Sequence, residues 1–235
     1  HRLKFFPYNF RYLKRSLRME GVTAVDGILA DLGVSSHQFD TPERGFSFRF
    51  DAELDMRMGQ QGPQTAAKVL NTYDADQLQT LFSRYGEVRN ARTLAAKILE
   101  ARQLRAFETI EDLVQVAEPL ARGNRSRYLA QVFQALRIEV NDEMGALAEM
   151  LQAASDLLGP GGRFVVISYH SLEDRMVKNF FKTGNIEGEI EKDFYGNIAR
   201  PFRLITKKAR MPEDAEIARN PRARSARLRV AEKPD

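Results

Sequence analysis

Between Asp26 and Met58 the chain reads DGILADLGVSSHQFDTPERGFSFRFDAELDMRM, and the way this stretch opens constrains the fold more than any other feature. The apolar run Ile28-Leu29-Ala30 stops at Asp31, and Gly33, Ser35 and Ser36 follow. A short apolar run that ends in a polar, glycine-containing loop reads as a buried strand breaking at its carboxyl end. The pattern recurs at Phe164-Val165-Val166-Ile167, which runs out through Ser168 into Tyr169-His170-Ser171. Strands of this kind alternating with helical segments make an open α/β sheet, and ligands of such sheets sit outside the carboxyl ends of the strands. Asp31 stands at that edge. Its carboxylate suits an amine or amino group as hydrogen-bond donor; the competing reading is a helix or loop cap.

The remaining elements follow from periodicity and punctuation. Leu3-Lys4-Phe5-Phe6 before Pro7 is strand-like, and Phe10, Leu13 and Leu17 recur at helical spacing before Gly21, so the chain is expected to open as a βαβ unit. Gly59-Gln60-Gln61-Gly62-Pro63 is a linker signal that places a boundary after Met58. Beyond it the pattern is helical: Asp74 caps a helix carrying Leu78 and Phe82, and Thr109 with Asp112 forms a capping-box start. A long helix through Leu129, Phe133 and Val140 brings the chain back, and another from Asp142 leads into Gly159-Pro160-Gly161-Gly162. That glycine cluster reads as a turn. It precedes a strand, so it cannot aim helix N–H groups at a phosphate. Leu172 to Phe181 reads as a helix, 184–199 as a polar loop, and Phe202 to Thr206 and Ala226 to Val230 as two last strands.

Composition narrows the chemistry. Among 235 residues, 43% hydrophobic, there is no Cys, which removes disulfides, thiolate metal sites and a cysteine nucleophile from this chain. No run approaches the roughly 18 apolar residues of a spanning helix and no leader is recognisable, so a cytoplasmic protein without a membrane partner is expected. The net charge of +4 is uneven: from Arg200 to Asp235 there are 11 Lys/Arg against 5 Asp/Glu, a net of +6, and the other 199 residues sum to −2. Within that tail Arg222, Arg224, Arg227 and Arg229 fall at nearly even spacing, with Leu228 and Val230 alternating with the last two. A strand of this pattern shows guanidiniums on one face, for RNA phosphates or for protection of a sheet edge. His170, Glu173 and Asp174 bring an imidazole and two carboxylates to a helix start. They are too few for a metal site, and none is expected; a substrate-facing role for His170 competes with plain helix capping.

The stretch 26–58 resembles the bacterial small-subunit rRNA cytosine-N4 methyltransferases (the RsmH/MraW group), whose pattern DGILxDLGVSSxQ, ERGFSF and LDMRM it matches nearly throughout. ISYHSLEDRMVK at 167–178 and NPRARSARLR at 220–229 match two further signatures of that family. The resemblance implies a Rossmann-like α/β methyltransferase core, 1–58 and 141–235, with an all-helical domain inserted at 59–140. It implies S-adenosylmethionine (SAM) as cofactor, small-subunit rRNA as partner, and methyl transfer to the exocyclic N4 of a cytidine in the decoding region. It puts Phe10, Asp31 and Gln38 at the cofactor. We assign Asp31 and Ser35 to the amino group, His170 to the target side, and Arg222, Arg224, Arg227 and Arg229 to RNA.

The missing cysteine agrees with that target. Methylating C5 of cytosine ordinarily uses a cysteine nucleophile, whereas N4 needs its amino group oriented and its proton accepted. The family's glycine-rich methionine loop and its ribose-binding acid precede the position where this sequence starts and are not carried over. The natural protein is accordingly expected to extend N-terminally by about 60 residues, two βα units of roughly 30 each, and 1–235 alone is expected neither to fold cooperatively nor to bind SAM. Two alternatives stay open: an RNA-binding assembly protein without turnover, and a methyltransferase for another nucleic-acid amino group. Oligomeric state is not encoded in any pattern above.

Overall fold

The computed structural model describes residues 3–59, 62–190, 192, 194–196 and 200–235. Its strands are β1 (Val25–Asp31), β2 (Leu158–Ser168), β3 (Arg203–Leu204) and β4 (Arg227–Glu232). Its α-helices are α1 (Leu13–Met19), α2 (Ser36–Asp40), α3 (Ala66–Thr72), α4 (Ala75–Gly86), α5 (Ala91–Leu104), α6 (Ile110–Ala117), α7 (Arg125–Asn141), α8 (Glu143–Leu157), α9 (Ser171–Thr183) and α10 (Asp214–Arg219). The chain divides into two units, His1–Gly33 with Met144–Asp235, and Val34–Glu143.

The first unit holds the sheet, in the order β1-β2-β4-β3. β1 and β2 are parallel, with Ile28 opposite Phe164 and Asp31 opposite Ile167, and β4 runs antiparallel to both β2 and β3. Alternation does what a period of two requires. Phe164 and Val166 are buried and join a cluster with Leu147 and Leu151 of α8 and Val177 and Phe181 of α9, while Val165 and Ile167 remain partly open. Burial of each such side chain is worth about 1.5–3 kcal/mol, and the rings of Phe164 and Phe202 stand 5.2 and 5.6 Å from that of Phe181.

Two expectations change here. The Leu3–Phe6 run forms no strand, and Leu3 and Phe5 are 85% and 83% exposed. A strand persists only where a neighbour completes its ladder, and no described residue pairs with this run, so the chain enters β1 from a 3₁₀ turn (Phe10–Tyr12) and α1. The glycine cluster 159–162 lies inside β2 rather than before it: Val25 pairs with Leu158, and the next pair is Gly27 with Arg163. The extra residues form an irregularity in the strand, and Gly161 takes φ +68° to make it.

The second unit is helical and is built from strong start signals. Asp74 and Gln77 cap each other's backbone at α4, and Thr109 and Asp112 do the same at α6. Leu70, Leu78, Phe82, Leu94, Ile98 and Leu129 are its fully buried core. The first boundary falls at Gly33, well before the Gly59 linker signal, part of which (Gln60 and Gln61) lies outside the described residues. The reason is packing: Phe46, Leu54 and Met56 are 5%, 1% and 0% exposed within the helical core. Leu54 N–H donates to Glu108 O at 2.9 Å, and Met58 N–H donates to Asn141 Oδ1 at 2.6 Å. The motif residues 44–58 are thus part of the helical unit.

α4 and α7 touch closely at Gly86. A Cβ there would meet Gln131 O at 2.6 Å and Ala135 Cβ at 3.2 Å, both on α7. Gly86→Ala is therefore expected to push the helices apart and to cost about 1–3 kcal/mol, measurable as a lower urea midpoint with an unchanged slope. Among the described residues no helix is long and apolar enough to cross a membrane. The expected polar loop at 184–199 lies partly outside the described residues; described parts of it carry no helix or strand.

Candidate active site

β1 and β2 end side by side. Leu32 N–H donates to Ile167 O at 3.0 Å, which holds the two carboxyl ends in step just past Asp31. Tyr169 directly follows the buried Ser168, the last residue of β2, and its hydroxyl donates to Asp31 Oδ1 at 2.8 Å. Burial, and then the hydrogen bond to Asp31, push the Tyr169 hydroxyl up to about 12, so it remains a donor throughout the physiological range. Asp31 itself is exposed, and its Oδ2 has no partner among the described residues. Gly33 lies against the Tyr169 ring, where an added Cβ would stand 3.7 Å from Cδ2. The result is an open carboxylate whose orientation is set by a phenol from the neighbouring strand.

α9 starts directly behind this pair, and His170 is its N-cap. Nδ1 accepts from Glu173 N–H at 3.4 Å, Glu173 Oε2 accepts from Tyr169 N–H at 2.8 Å, and Nε2 stands 3.3 Å from Glu173 Oε1. The imidazole is only 8% exposed. Capping, the competing reading, describes what the side chain does here; a direct approach to substrate requires an exposed ring. Its effect on the site is indirect, because the same Glu173 fixes the backbone of Tyr169.

The C-terminal arginines divide. Leu228 and Val230 do lie on the face of β4 opposite Arg227 and Arg229, as alternation requires. The guanidinium face, however, is turned toward α9. Arg229, 9% exposed, donates from Nε and Nη2 to Asp174 Oδ1 and Oδ2 at 2.7 and 3.0 Å, and Arg227 Nη1 reaches Oδ2 at 3.2 Å. Arg229 is thereby committed to an internal ion pair and not to RNA, since a buried carboxylate opposite it satisfies the fork more completely than solvent-side phosphate. Arg222 and Arg224 sit on a 3₁₀ turn (Pro221–Ser225) ahead of the strand and are exposed.

Ser35 and Gln38 belong to the helical unit, where they cap α2 reciprocally: Ser35 N–H donates to Gln38 Oε1 at 2.8 Å, and Gln38 N–H donates to Ser35 Oγ at 3.3 Å. The Ser-x-x-Gln signature for this was legible in the sequence. Phe10 is 42% exposed at the start of its 3₁₀ turn in the sheet unit. Sequence reasoning missed Tyr169 as the partner of Asp31 and Asp174 as the partner of Arg229; nothing local signals either pair.

A parallel strand pair carrying a carboxylate at its ends, with an antiparallel last strand beside it, is consistent with a Rossmann-like methyltransferase. The match to known proteins is specific. A model of the MraW methylase family matches residues 1–234. The chain is 57% identical over 230 residues to the ribosomal RNA small subunit methyltransferase H of Bacteroides thetaiotaomicron, covering 97% of this chain and 76% of that protein. The proteins of that name from Phocaeicola vulgatus and Cytophaga hutchinsonii are 58% and 53% identical, over 99% and 97% of this chain and 77% and 76% of their own lengths. The chain belongs to the MraW methylase family.

Proposed function

We propose that the protein transfers a methyl group from SAM to the exocyclic N4 of a cytidine in the decoding region of small-subunit rRNA. The observation that carries this reading is the Asp31–Tyr169 pair. With Oδ1 held by the phenol, Oδ2 accepts a hydrogen bond from the amino group, aims the nitrogen lone pair, and takes the proton released as nitrogen is methylated. The RNA class is supported by the names of the relatives, and N4 by the motif resemblance. When bound, SAM supplies a methyl on a sulfonium that leaves as a neutral thioether.

The residues present fit such a cofactor. Phe10 offers an exposed ring for a base face, and Asp31 a carboxylate with an open oxygen. In the helical unit Gln38 uses Oε1 in its cap and keeps its amide N–H₂ as a donor, and Ser35 Oγ keeps a lone pair beyond the cap; their assignment to the cofactor and the amino group rests on the motif resemblance alone. His170 positions Tyr169 through Glu173, and Arg222 and Arg224 contribute charge toward RNA. The test is methylation of small ribosomal subunits from a deletion strain with isotopically labelled SAM, followed by mass analysis of the nucleosides. Labelled N4-methylcytidine is expected; label on another nucleoside, or none, refutes the assignment.

A further inference from the structure

The tail's positive excess is only partly explained by Arg227 and Arg229, which face Asp174 inside the protein. Three of the tail's nine other Lys/Arg line a cleft of about 540 Å³ in the sheet unit, within the roughly 300–1,000 Å³ of ligand sites. Lys182 from the last turn of α9, Arg200, Arg203 and Lys207 line it over apolar groups that include Leu204 and Pro234, and among the described residues no carboxylate lines it. Arg203 is held by Glu232. Lys182, Arg200 and Lys207 are exposed and have no acidic partner among the described residues. A solvated surface needs no apolar floor, and an apolar ligand needs no ring of cations. Together they suit a nucleotide chain, with phosphates on the rim and a sugar or base edge on the floor.

The cleft is remote from Asp31. β3 is the far strand of the sheet, and Arg203 is level with Glu232 and Arg163, whereas Asp31 is level with Ile167. Four residues along a strand and three strand spacings across give a diagonal of roughly 20 Å. At about 3.4 Å per nucleotide of stacked strand, that is on the order of six nucleotides. We propose that this cleft is a second contact for the RNA substrate, gripping the backbone about six nucleotides from the methylated base. The proposal rests on the rRNA-methyltransferase reading above, and its test is separable from it.

The experiment compares the protein with its Lys182→Gln/Arg200→Gln/Lys207→Gln variant, exposed positions whose replacement leaves the core untouched. Equilibrium binding is measured across salt concentrations with a long rRNA fragment and with an oligonucleotide trimmed to three nucleotides either side of the target. For the long RNA the salt slope is expected to fall by about 2, at roughly 0.7 for each phosphate no longer neutralised, and KM to rise at least tenfold with kcat at saturation unchanged. For the short RNA no change is expected. An unchanged slope and KM on the long RNA overturns the proposal, as does an equal loss on both RNAs, which marks general steering. Weakened binding of inorganic phosphate or free cytidine monophosphate with an intact RNA slope assigns the cleft to a free anion and also overturns it. If the unaltered protein methylates no RNA, the proposed function fails, while the binding slopes still decide the cleft.

Discussion

Asp174→Ala is expected to cost the protein about 3–5 kcal/mol, because it strands the buried Arg229 guanidinium without its counter-charge. Against total stabilities of about 5–15 kcal/mol, a loss of that size brings the sheet unit near unfolding at ordinary temperatures. The pair itself need not be stabilising relative to an apolar replacement, since desolvating two charges offsets much of their attraction. Asp174→Leu with Arg229→Met is therefore expected to recover most of the loss. Urea unfolding of the single and double variants checks this, and a double variant as unstable as the single one would refute the ion-pair account.

The same pair sets an acid limit. Burial alone raises the Asp174 carboxyl, but the hydrogen bonds and charge of Arg229, joined by Arg227, outweigh it and hold the group below its usual value. A depressed carboxyl contributes stability that is fully present above its unfolded pKa of about 4 and is lost as pH falls through the lower folded value. Between neutral pH and about 5 the contribution is constant. An Asp174→Asn variant is expected to lack that part of the acid sensitivity.

Asp31→Ala is expected to lower kcat by about 10²–10⁴-fold, the usual range for losing a positioned proton acceptor, and to leave folding within about 1 kcal/mol because Asp31 is exposed. Tyr169→Phe removes only the hydroxyl that orients the carboxylate. Its expected effect is smaller, about tenfold in kcat with KM unchanged, because Asp31 remains to accept the proton. Methylation kinetics and thermal melts of both variants check the ordering. Wild-type turnover in Asp31→Ala removes Asp31 from the site, and equal losses in both variants would mean that the phenol does more than position.

Elements whose cause lies within a few residues were legible in the amino-acid order alone. The strands ending at Asp31 and Ser168 follow from short apolar runs cut off by polar loops, and the caps at Asp74 and Thr109 from side chains three residues from their partners; burial of the first strand does not follow, for β1 is an outer strand among the described residues and leaves Leu29 70% exposed. Alternation along β4 separated Arg227 and Arg229 from Leu228 and Val230. Which of those faces is covered was settled by the tertiary fold, because the countercharge, Asp174, lies 55 residues from Arg229. The partner that orients Asp31 lies 138 residues away. Leu3–Phe6 and the motif at 44–58 show the same limit. An apolar run becomes a strand only if a neighbour completes its hydrogen bonds, and Phe46, Leu54 and Met56 joined the helical unit because its core had room to bury them. Period and capping chemistry are local and are written in the chain; pairing, facing and burial depend on what the rest of the chain brings alongside.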